Sequence, residues 1–265
     1  MAAESLHTHG PWTTDRVAGV FIAAAVPPLA VALYEQGATA IFPGLAVALF
    51  VTLGWQFIFA WSRHSPIGWD GIVTAIAFFI VMLPAAVPLW QIALAVTFGV
   101  VVGEQIFGGR GRAFLNPAAV ALAFLFFSFP ASPTGAAGSS IALATLPGAI
   151  LLVVLGLVSW RVVVAAYVGL AVAGLPANID DPLVLFTSGS FAFGLIFLGC
   201  DPVSAAATNP GRLIYGFLIG VLAATFGAAE ATAVVFAVLL ASIFAPVIDY
   251  SVIWLHALRR SRRRG

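Results

Sequence analysis

The chain has 265 residues, of which 62% are hydrophobic and only 8% are charged, with a formal net charge of +1. Soluble domains carry about 25% charged residues, so this composition excludes an ordinary water-soluble domain. The apolar runs are long and continuous and lack the alternation of barrel strands, which predicts an all-α polytopic membrane protein. A single cysteine, Cys200, excludes a disulfide within the chain or a four-cysteine cluster made by this chain alone.

The hydropathy pattern predicts about ten transmembrane spans joined by short polar links. Their approximate bounds are 17–34, 38–61, 69–86, 88–107, 114–130, 146–160, 162–178, 184–200, 211–228 and 231–257. Several are shorter than the roughly 20 residues that a full crossing needs, which predicts tilted or broken helices. The chain therefore divides into a tail (1–16), one transmembrane domain (17–258) and a basic tail (259–265).

All basic residues are arginines, and an arrangement of ten spans places every one of them on the same side of the membrane. They are Arg16, Arg63, Arg110, Arg112, Arg161, Arg212 and five between Arg259 and Arg264. The positive-inside rule makes that side the cytoplasm, so both tails are predicted to be cytoplasmic. The final arginine run is expected to lie against anionic lipid headgroups; nucleic acid is disfavoured because the run is short and lacks interleaved aromatic residues.

A weak internal repeat relates Ala75–Pro88 to Ser190–Val203, since both segments end an apolar span in a proline-containing break. Ten spans split into two halves of five, about 17–130 and 146–258, and an odd number of crossings gives the halves opposite topology. Inverted repeats with broken helices are typical of a site along a transmembrane path.

The loop Gly108–Pro117 places three glycines and two arginines between two apolar runs. Free backbone N–H groups, two guanidinium groups and a following helix start would suit an anion or the edge of a carbonyl compound. The competing interpretation is a tight cytoplasmic turn whose arginines only set the topology. Asn116 before Pro117 is predicted to cap the next helix.

The segment Gly199–Arg212 follows another apolar span directly. A carboxylate at membrane depth is a functional candidate, and the repeat predicts Arg212 or the loop 108–112 as the partner of Asp201. Alternatively, Asp201 caps a short helix that begins at Pro202. The polar side chains of this segment can also satisfy backbone groups freed by the break, and they are Ser204, Thr208 and Asn209.

Three carboxylates within or near spans are candidates for an ion or proton relay, namely Glu104, Asp201 and Asp249. Glu104 and Asp249 can equally be buried partners of arginine. The four histidines form no metal constellation, so no metal is predicted, and Cys200 is expected to be a packing residue.

These motifs resemble the NqrB/RnfD family, the membrane subunits of the sodium-pumping NADH:quinone reductase and of the Rnf electron-transport complex, and they are closer to NqrB. The resemblance covers most of residues 70–250 in order. It is carried by Leu89-Trp90-Gln91, Gly108-Gly109, Gly111-Arg112-Ala113-Phe114-Leu115-Asn116-Pro117, Ala123-Phe124-Leu125-Phe126-Phe127, Ser159-Trp160-Arg161, Asp201-Pro202-Val203-Ser204-Ala205, Thr208-Asn209, Phe244-Ala245-Pro246 and Asp249-Tyr250.

The resemblance implies a ten-helix inverted-repeat fold similar to urea transporters, and electron transfer across the membrane through flavins. A non-covalent flavin, riboflavin or FMN, would bind toward the cytoplasm. The residues expected to hold it are Gly109, Arg110, Gly111, Arg112, Phe114 and Asn116, with Asp201, Thr208 and Asn209 on the paired repeat.

The family also attaches FMN covalently to a threonine in an outer Ser/Asp-Gly-Ala-Thr motif. The nearest segments here are Thr134-Gly135-Ala136-Ala137 and Ala142-Leu143-Ala144-Thr145, and neither matches. Covalent FMN is therefore not expected, with Thr145 as a weak candidate near the start of the sixth span. Ala113 also replaces an asparagine of the family loop. We expect no counterpart of the family's long N-terminal extension, which leaves sodium coupling open.

The predicted function is a flavin-binding subunit of an electron-transport complex in the bacterial inner membrane. No dinucleotide or cluster motif is present, so partners are required: an NAD(P)H- or ferredoxin-linked reductase and an FMN-carrying subunit. One alternative is a transporter or channel of the same fold for a small solute or ion, without a redox role. Another is a scaffold that only assembles partner subunits.

Overall fold

The computed structural model describes residues 14–64, 87–109, 112–130, 138–174, 186–227 and 229–262, which form helices and their connections. The predicted all-α class is confirmed over these residues. The helices are α1 (Thr14–Gln36), α2 (Ala38–Arg63), α3 (Leu89–Val100) continued by the π-helix π1 (Val101–Gln105), α4 (Pro117–Ser128), α5 (Ser139–Val154), α6 (Trp160–Gly174), α7 (Gly189–Gly194) continued by π2 (Leu195–Gly199), α8 (Asn209–Phe226) and α9 (Ala231–Arg262).

Every predicted span within the described residues overlaps one of these helices, and the third, 69–86, lies outside them. The largest error is in the sixth span, which was expected near 146–160. Helix α5 begins at Ser139. Pro147 therefore lies within the helix and not at its start. It ends before Gly156, whose φ of 74° favours glycine and stops the helical run.

Within the part of the chain that the structure describes, three helices are long and apolar enough to cross a membrane, namely Arg16–Gln36, Ala38–Arg63 and Ala231–Leu258. Five shorter apolar helices cover Leu89–Gln105, Pro117–Ser128, Ser139–Val154, Trp160–Gly174 and Gly189–Gly199. Because a full crossing takes about 20 residues, the short helices agree with the expectation of broken or tilted spans. Helix α9 continues to Arg262, so the predicted basic tail begins as helix.

Helices α2 and α3 lie side by side and run in the same direction. Trp55 Nε1 donates to Thr97 Oγ1 at 3.1 Å, and Arg63 Nη1 donates to Gln105 Oε1 at 3.1 Å. Both bonds join residues 42 positions apart, so the register is constant over two turns and continues into π1.

Helices α6 and α8 form a second parallel pair, and here the backbones touch. A Cβ atom on Gly216 would lie 2.4 Å from the carbonyl oxygen of Val162, and one on Gly220 would lie 1.9 Å from that of Ala166. Both contacts join residues at the same separation in the sequence, which shows that the two helices run in the same direction. Glycine is required because any side chain would push the helices apart.

The remaining helices pack around these two pairs. Helix α1 packs against α5, where Gly148 leaves room for the carbonyl of Ala24, and α4 packs against both α3 and α9. Helix α9 also packs against α7 and α8. The break after π2 therefore lies among α6, α8 and α9, while the loop after π1 leads into α4.

We predict that Gly220→Ala lowers the free energy of unfolding by about 1–3 kcal/mol, because the added methyl group overpacks a backbone contact. Gly54→Ala is the matched control, since a Cβ there meets nothing within 4 Å. It should be neutral or slightly stabilising because alanine favours helix. Thermal unfolding of the two variants in the same detergent measures the difference, and equal midpoints would contradict the close α6–α8 contact.

Candidate functional site

Asn116 begins helix α4 as predicted. Its Oδ1 accepts hydrogen bonds from the backbone N–H groups of Ala118 at 2.9 Å and Ala119 at 3.3 Å, and Pro117 occupies the first helical position. An asparagine cap followed by proline satisfies donors that would otherwise have no partner in the helix. The side chain is only 2% exposed, so this end of the helix is deeply buried.

The amide of Asn116 also reaches the second half of the chain. Its Nδ2 donates to Asp201 Oδ2 and to the carbonyl oxygen of Phe197, both at 3.4 Å. The two segments that the sequence singled out, 85 positions apart, thus meet at one side chain. Asp201 is 3% exposed and contacts Asn116, which lies beyond the expected partner loop 108–112, while Arg212 Nε donates to the carbonyl of Ala206 at 3.2 Å.

The chain after Asp201 makes a turn and not the short helix considered from the sequence. Asp201 Oδ1 accepts from the N–H of Val203 at 3.5 Å, and the carbonyl of Asp201 accepts from the N–H of Ala205 at 3.0 Å. Within this turn the hydroxyl of Ser204 is buried and has no hydrogen-bond partner among the described residues. A buried hydroxyl left in this state is a place where a ligand or water can add a bond.

A cavity of about 230 Å³ lies beside this turn, between the end of π2, the α5–α6 connection and the start of α8. Its walls include Ser159, Cys200, Pro202 and the guanidinium group of Arg212. The cavity therefore combines one cation and one hydroxyl with apolar side chains, and two of its lining residues, Cys200 and Pro202, flank Asp201 in the sequence.

Tyr215 supports the end of π2, and sequence reasoning missed it. Its hydroxyl lies 2.9 Å from the carbonyl oxygen of Gly199, to which it donates, and 3.2 Å from Ser242 Oγ. The ring is completely buried. The available signal was a tyrosine among the small residues of a helix. Such a helix packs tightly, so the tyrosine would be buried, and its hydroxyl would then need a polar partner.

Thr208 and Asp249 form a cap at the start of α8. Asp249 Oδ1 accepts from the hydroxyl and the N–H of Thr208, and its Oδ2 accepts from the N–H of Ala207 at 2.7 Å. The hydroxyl of Thr208 in turn accepts from the N–H of Gly211. The carboxylate thus lies at the positive end of the helix dipole, where an anion is stabilised. Thr208 thus accepts from a backbone N–H group near the break, which is the alternative role that the sequence suggested for it.

Asn209 lies at the surface. Its Oδ1 accepts from Arg161 Nη1 at 2.8 Å, and Arg161 also covers the ring of Trp160 at 5.4 Å. The described contacts of Thr208 and Asn209 therefore hold α8 to α9 and to α6, whereas Asn116 and Asp201 contact each other.

The glycine loop closes π1 with its own backbone. Gly108 and Gly109 have φ values of 106° and 92°, which favour glycine, and their N–H groups donate to Gln105 and Glu104 carbonyls at 3.1 Å. The N–H of Arg112 donates to the carbonyl of Gly109. The expectation of free N–H groups for an anion is therefore wrong at these three positions. Arg110 and Gly111 lie outside the described residues.

Two other loop residues, Arg112 and Phe114, are exposed. The side chain of Arg112 packs over Gly108, and Phe114 meets Phe107 edge to face with ring centroids 4.9 Å apart. Phe114 is 37% exposed. The loop thus presents a cation and an aromatic pair outward, next to the buried Asn116.

Glu104 lies in π1 and is 3% exposed. Its Oε1 accepts from Gln105 Nε2 at 3.3 Å, and Gln105 accepts two bonds from the guanidinium group of Arg63, one at its side-chain oxygen and one at its carbonyl. Among the contacts of the described residues, Gln105 links Glu104 to Arg63. Gln105 was missed, although an amide beside a carboxylate in an apolar span was a visible signal.

Thr145, the weak candidate for covalent FMN, lies in the middle of α5. Its side chain is buried, and its hydroxyl donates to the carbonyl of Ile141 at 2.7 Å. The other segment considered, 134–137, lies outside the described residues.

A profile of the NQR2, RnfD, RnfE family matches residues 1–137 and 131–254. A subunit of the Na(+)-translocating NADH-quinone reductase of Chromohalobacter salexigens is 32% identical, and the alignment covers 87% of this chain and 69% of that protein. The corresponding subunit from Pseudoalteromonas atlantica is 33% identical over 88% of this chain and 72% of its own. That from Ectopseudomonas mendocina is 32% identical, with coverage of 87% and 71%.

We predict that Asp249→Ala lowers the free energy of unfolding by about 1–3 kcal/mol, because three donors at the start of α8 lose their acceptor. Ser251→Ala is the matched control on the same helix; its exposed hydroxyl bonds only the carbonyl of Val247 among the contacts described. That change should stay within about 0.5 kcal/mol. Denaturant titration in micelles compares them, and equal losses would show that Asp249 does not support the cap.

Proposed function

Because the chain belongs to the NQR2, RnfD and RnfE family, we propose that it is a membrane subunit of a bacterial electron-transport complex and holds a non-covalent flavin where Asn116 meets Asp201. The observation that carries this proposal is the hydrogen bond between these two buried residues. It joins two of the segments that carry the resemblance to the family, and the turn that begins at Asp201 continues along the cavity after π2, which Cys200 and Pro202 line.

The packing supports the proposed architecture of two five-helix halves. In the first half α2 runs parallel to α3, and in the second α6 runs parallel to α8. Each pair would be the second and fourth span of its half. Two neighbouring spans that run in the same direction must be joined by a segment that crosses the membrane in the opposite direction. In the second half this segment is α7, continued by π2. The contacts of α1 with α5 and of α4 with α9 join equivalent spans of the two halves.

The chemistry of the cavity fits one end of a flavin. The ring system of a flavin carries carbonyl oxygens and an N–H group along one edge, which need donors and an acceptor. Arg212 and Ser159 line the cavity, and the buried hydroxyl of Ser204 still needs a partner. The volume of about 230 Å³ is below the roughly 300–1,000 Å³ of pockets that enclose a whole ligand of this size. We therefore assign the cavity to the polar end of the ring.

The residues of this chain would orient the flavin and set its electrostatics. A bound flavin supplies transfer of one or two electrons. Arg212 favours negative charge on the ring, Asn116 and Asp201 set its position, and the apolar ends of π2 and α4 limit the access of water. Phe114 and Arg112 lie at the exposed mouth of the glycine loop, where a partner subunit can approach.

The relatives extend the proposal to the complex. They are named as subunits of a sodium-translocating NADH-quinone reductase. We propose that this chain likewise lies in the inner membrane with both termini in the cytoplasm and receives electrons from a reductase linked to NAD(P)H or ferredoxin. An FMN-carrying subunit would be the second partner. Coupling to an ion remains part of the proposal, and covalent FMN is not part of it.

The test is the flavin content of the full chain purified in mild detergent with its native partners. We expect about one extractable flavin for each chain in addition to the flavins of the partners, released by acid without proteolysis. Preparations without this flavin would overturn the proposal. Uptake of a solute or ion into proteoliposomes without any electron donor would then favour the transporter alternative.

Asn116→Ser separates the cap from the flavin contact. Serine still caps α4 but loses the amide that donates to Asp201, so the unfolding midpoint should fall, though less than in Asn116→Ala, which loses the cap as well. Loss of a buried hydrogen-bonding partner costs about 2–5 kcal/mol of binding, so the affinity for flavin should fall more than tenfold. Fluorescence titration of released flavin measures this. Glu35→Gln, a distant exposed change, should bind normally, and unchanged binding in Asn116→Ser would contradict the assigned position.

A further inference from the structure

One face of helix α6 is exposed along the whole helix and belongs to no function assigned above. Arg161 lies at its start, and Val164, Val168 and Val172 follow it three, seven and eleven positions later. This spacing places all four residues on the same face of a helix. Each of the three valines is about half exposed. We call these three residues the valine stripe.

The guanidinium group of Arg161 is held in place but has no counter-ion. Its Nη1 donates to Asn209 Oδ1 at 2.8 Å, and the group lies over the ring of Trp160 at 5.4 Å. Among the described residues, no carboxylate pairs with Arg161, and its Nε and Nη2 donate no hydrogen bond. The carboxylate of Asp249 accepts from Ala207 and Thr208 instead. Arg161 therefore presents an oriented pair of charged donors, which suits a phosphate group.

The position of Arg161 fits the boundary of a membrane. Trp160 beside it is 56% exposed, and tryptophan is enriched where the hydrocarbon meets the headgroups. From Arg161 to Val172 is eleven positions, which corresponds to about 16 Å along a helix. This is close to half of the roughly 30 Å of a hydrocarbon core. With Arg161 at the level of the headgroups, the valine stripe therefore extends over one leaflet.

The opposite face of α6 shows what a contact between helices requires in this chain. There Ala165 and Ala166 are buried, and a Cβ atom on Gly169 would lie 2.3 Å from the carbonyl oxygen of Phe217 on α8. Close contacts between membrane helices depend on such small residues. The valine stripe has no small residue, so an acyl chain is a better occupant of this face than a helix of a partner subunit.

We propose that Arg161 and the valine stripe bind one anionic phospholipid of the predicted cytoplasmic leaflet. Its phosphate accepts hydrogen bonds from Nε and Nη2 of Arg161, beside the ring of Trp160, and one acyl chain lies along the valines. The proposal does not depend on flavin binding, because the described residues that line the proposed flavin cavity include none of this site.

Lipid titration of the full chain in detergent, followed by native mass spectrometry, tests the headgroup. The probes are phosphatidylglycerol and phosphatidylcholine with identical acyl chains. An arginine at the membrane surface favours an anionic lipid, so we expect one phosphatidylglycerol to bind at least fivefold more tightly than phosphatidylcholine. Equal affinities would overturn the proposal. Displacement of the lipid by millimolar inorganic phosphate would also overturn it, because the ligand would then be a soluble anion.

Two arginine variants separate this site from a general attraction between a basic chain and anionic lipid. Arg161→Gln should lower the affinity for phosphatidylglycerol to that for phosphatidylcholine. Arg63→Gln is the matched control and should keep the preference; the guanidinium group of Arg63 lies over Phe59 at 5.0 Å, but both of its terminal nitrogens bond Gln105. Equal losses in the two variants would contradict a specific site.

Arg161→Lys serves if the glutamine variant does not fold. Lysine keeps the charge but lacks the planar pair of donors. Its affinity for phosphatidylglycerol should lie between that of the natural chain and that for phosphatidylcholine. An affinity equal to that of the natural chain would overturn the contact assigned to Nε and Nη2.

The valine stripe has a test of its own. Val168→Ser should weaken both lipids because it interrupts the apolar surface, whereas Val247→Ser changes an exposed valine of α9 and should weaken neither. Equal binding by these variants would overturn the position of the acyl chain. The complex purified with its native partners should retain the same lipid. Its absence there would overturn the proposal and show that a partner subunit covers the stripe.

Discussion

The structure depends on one side chain, Asn116, which serves two helices at once. Its side-chain oxygen accepts hydrogen bonds at the start of α4, and its side-chain nitrogen donates to Asp201 and to the carbonyl oxygen of Phe197 in π2. A carboxylate buried in an apolar interior needs hydrogen bonds, or its ionised form becomes very unfavourable. Asparagine is the side chain that can accept from a helix start and donate to a carboxylate in the same place. The two halves of the chain are thereby joined at their most polar points.

The rest of the architecture keeps these breaks in place. Helix α8 is held against α6 by glycines and against α9 by Asp249, which caps its first turn. Tyr215 supports the end of π2 from the same helix. The turn that carries Asp201 and Ser204 is therefore braced from three sides, which suits a site that must present polar groups in a fixed position within a membrane.

The two parallel helix pairs illustrate how similar packing can serve different purposes. In the α6–α8 pair, glycines bring the two backbones into contact. The α2–α3 pair admits hydroxyl, amide and carboxylate groups, and these are costly in an apolar environment unless they have partners or a function.

Several features follow from the sequence alone because they depend on local pattern. Apolar runs determine the helical membrane class and most helix positions, and an asparagine followed by proline determines the start of α4. Pro147 shows the limit of local pattern. The sixth span was wrongly predicted to start near this proline, which instead lies within α5. The repeat assigned to 75–88 falls largely on residues that the structure does not describe.

Only the tertiary structure decided which polar groups meet. The sequence shows four side chains that can form hydrogen bonds, namely Asp201, Thr208, Asp249 and Glu104. The first three bond partners that lie far away in the sequence. Glu104 bonds its neighbour Gln105, which in turn bonds Arg63. Asn116 and Asp201 are 85 positions apart, and Thr208 and Asp249 are 41 apart. Hydrogen bonds are short and directional, so a choice among several donors depends on distances of a few tenths of an ångström. The sequence thus determined that a buried polar site must exist, and the packing of glycines and helix ends decided that Asn116 contacts the carboxylate of Asp201.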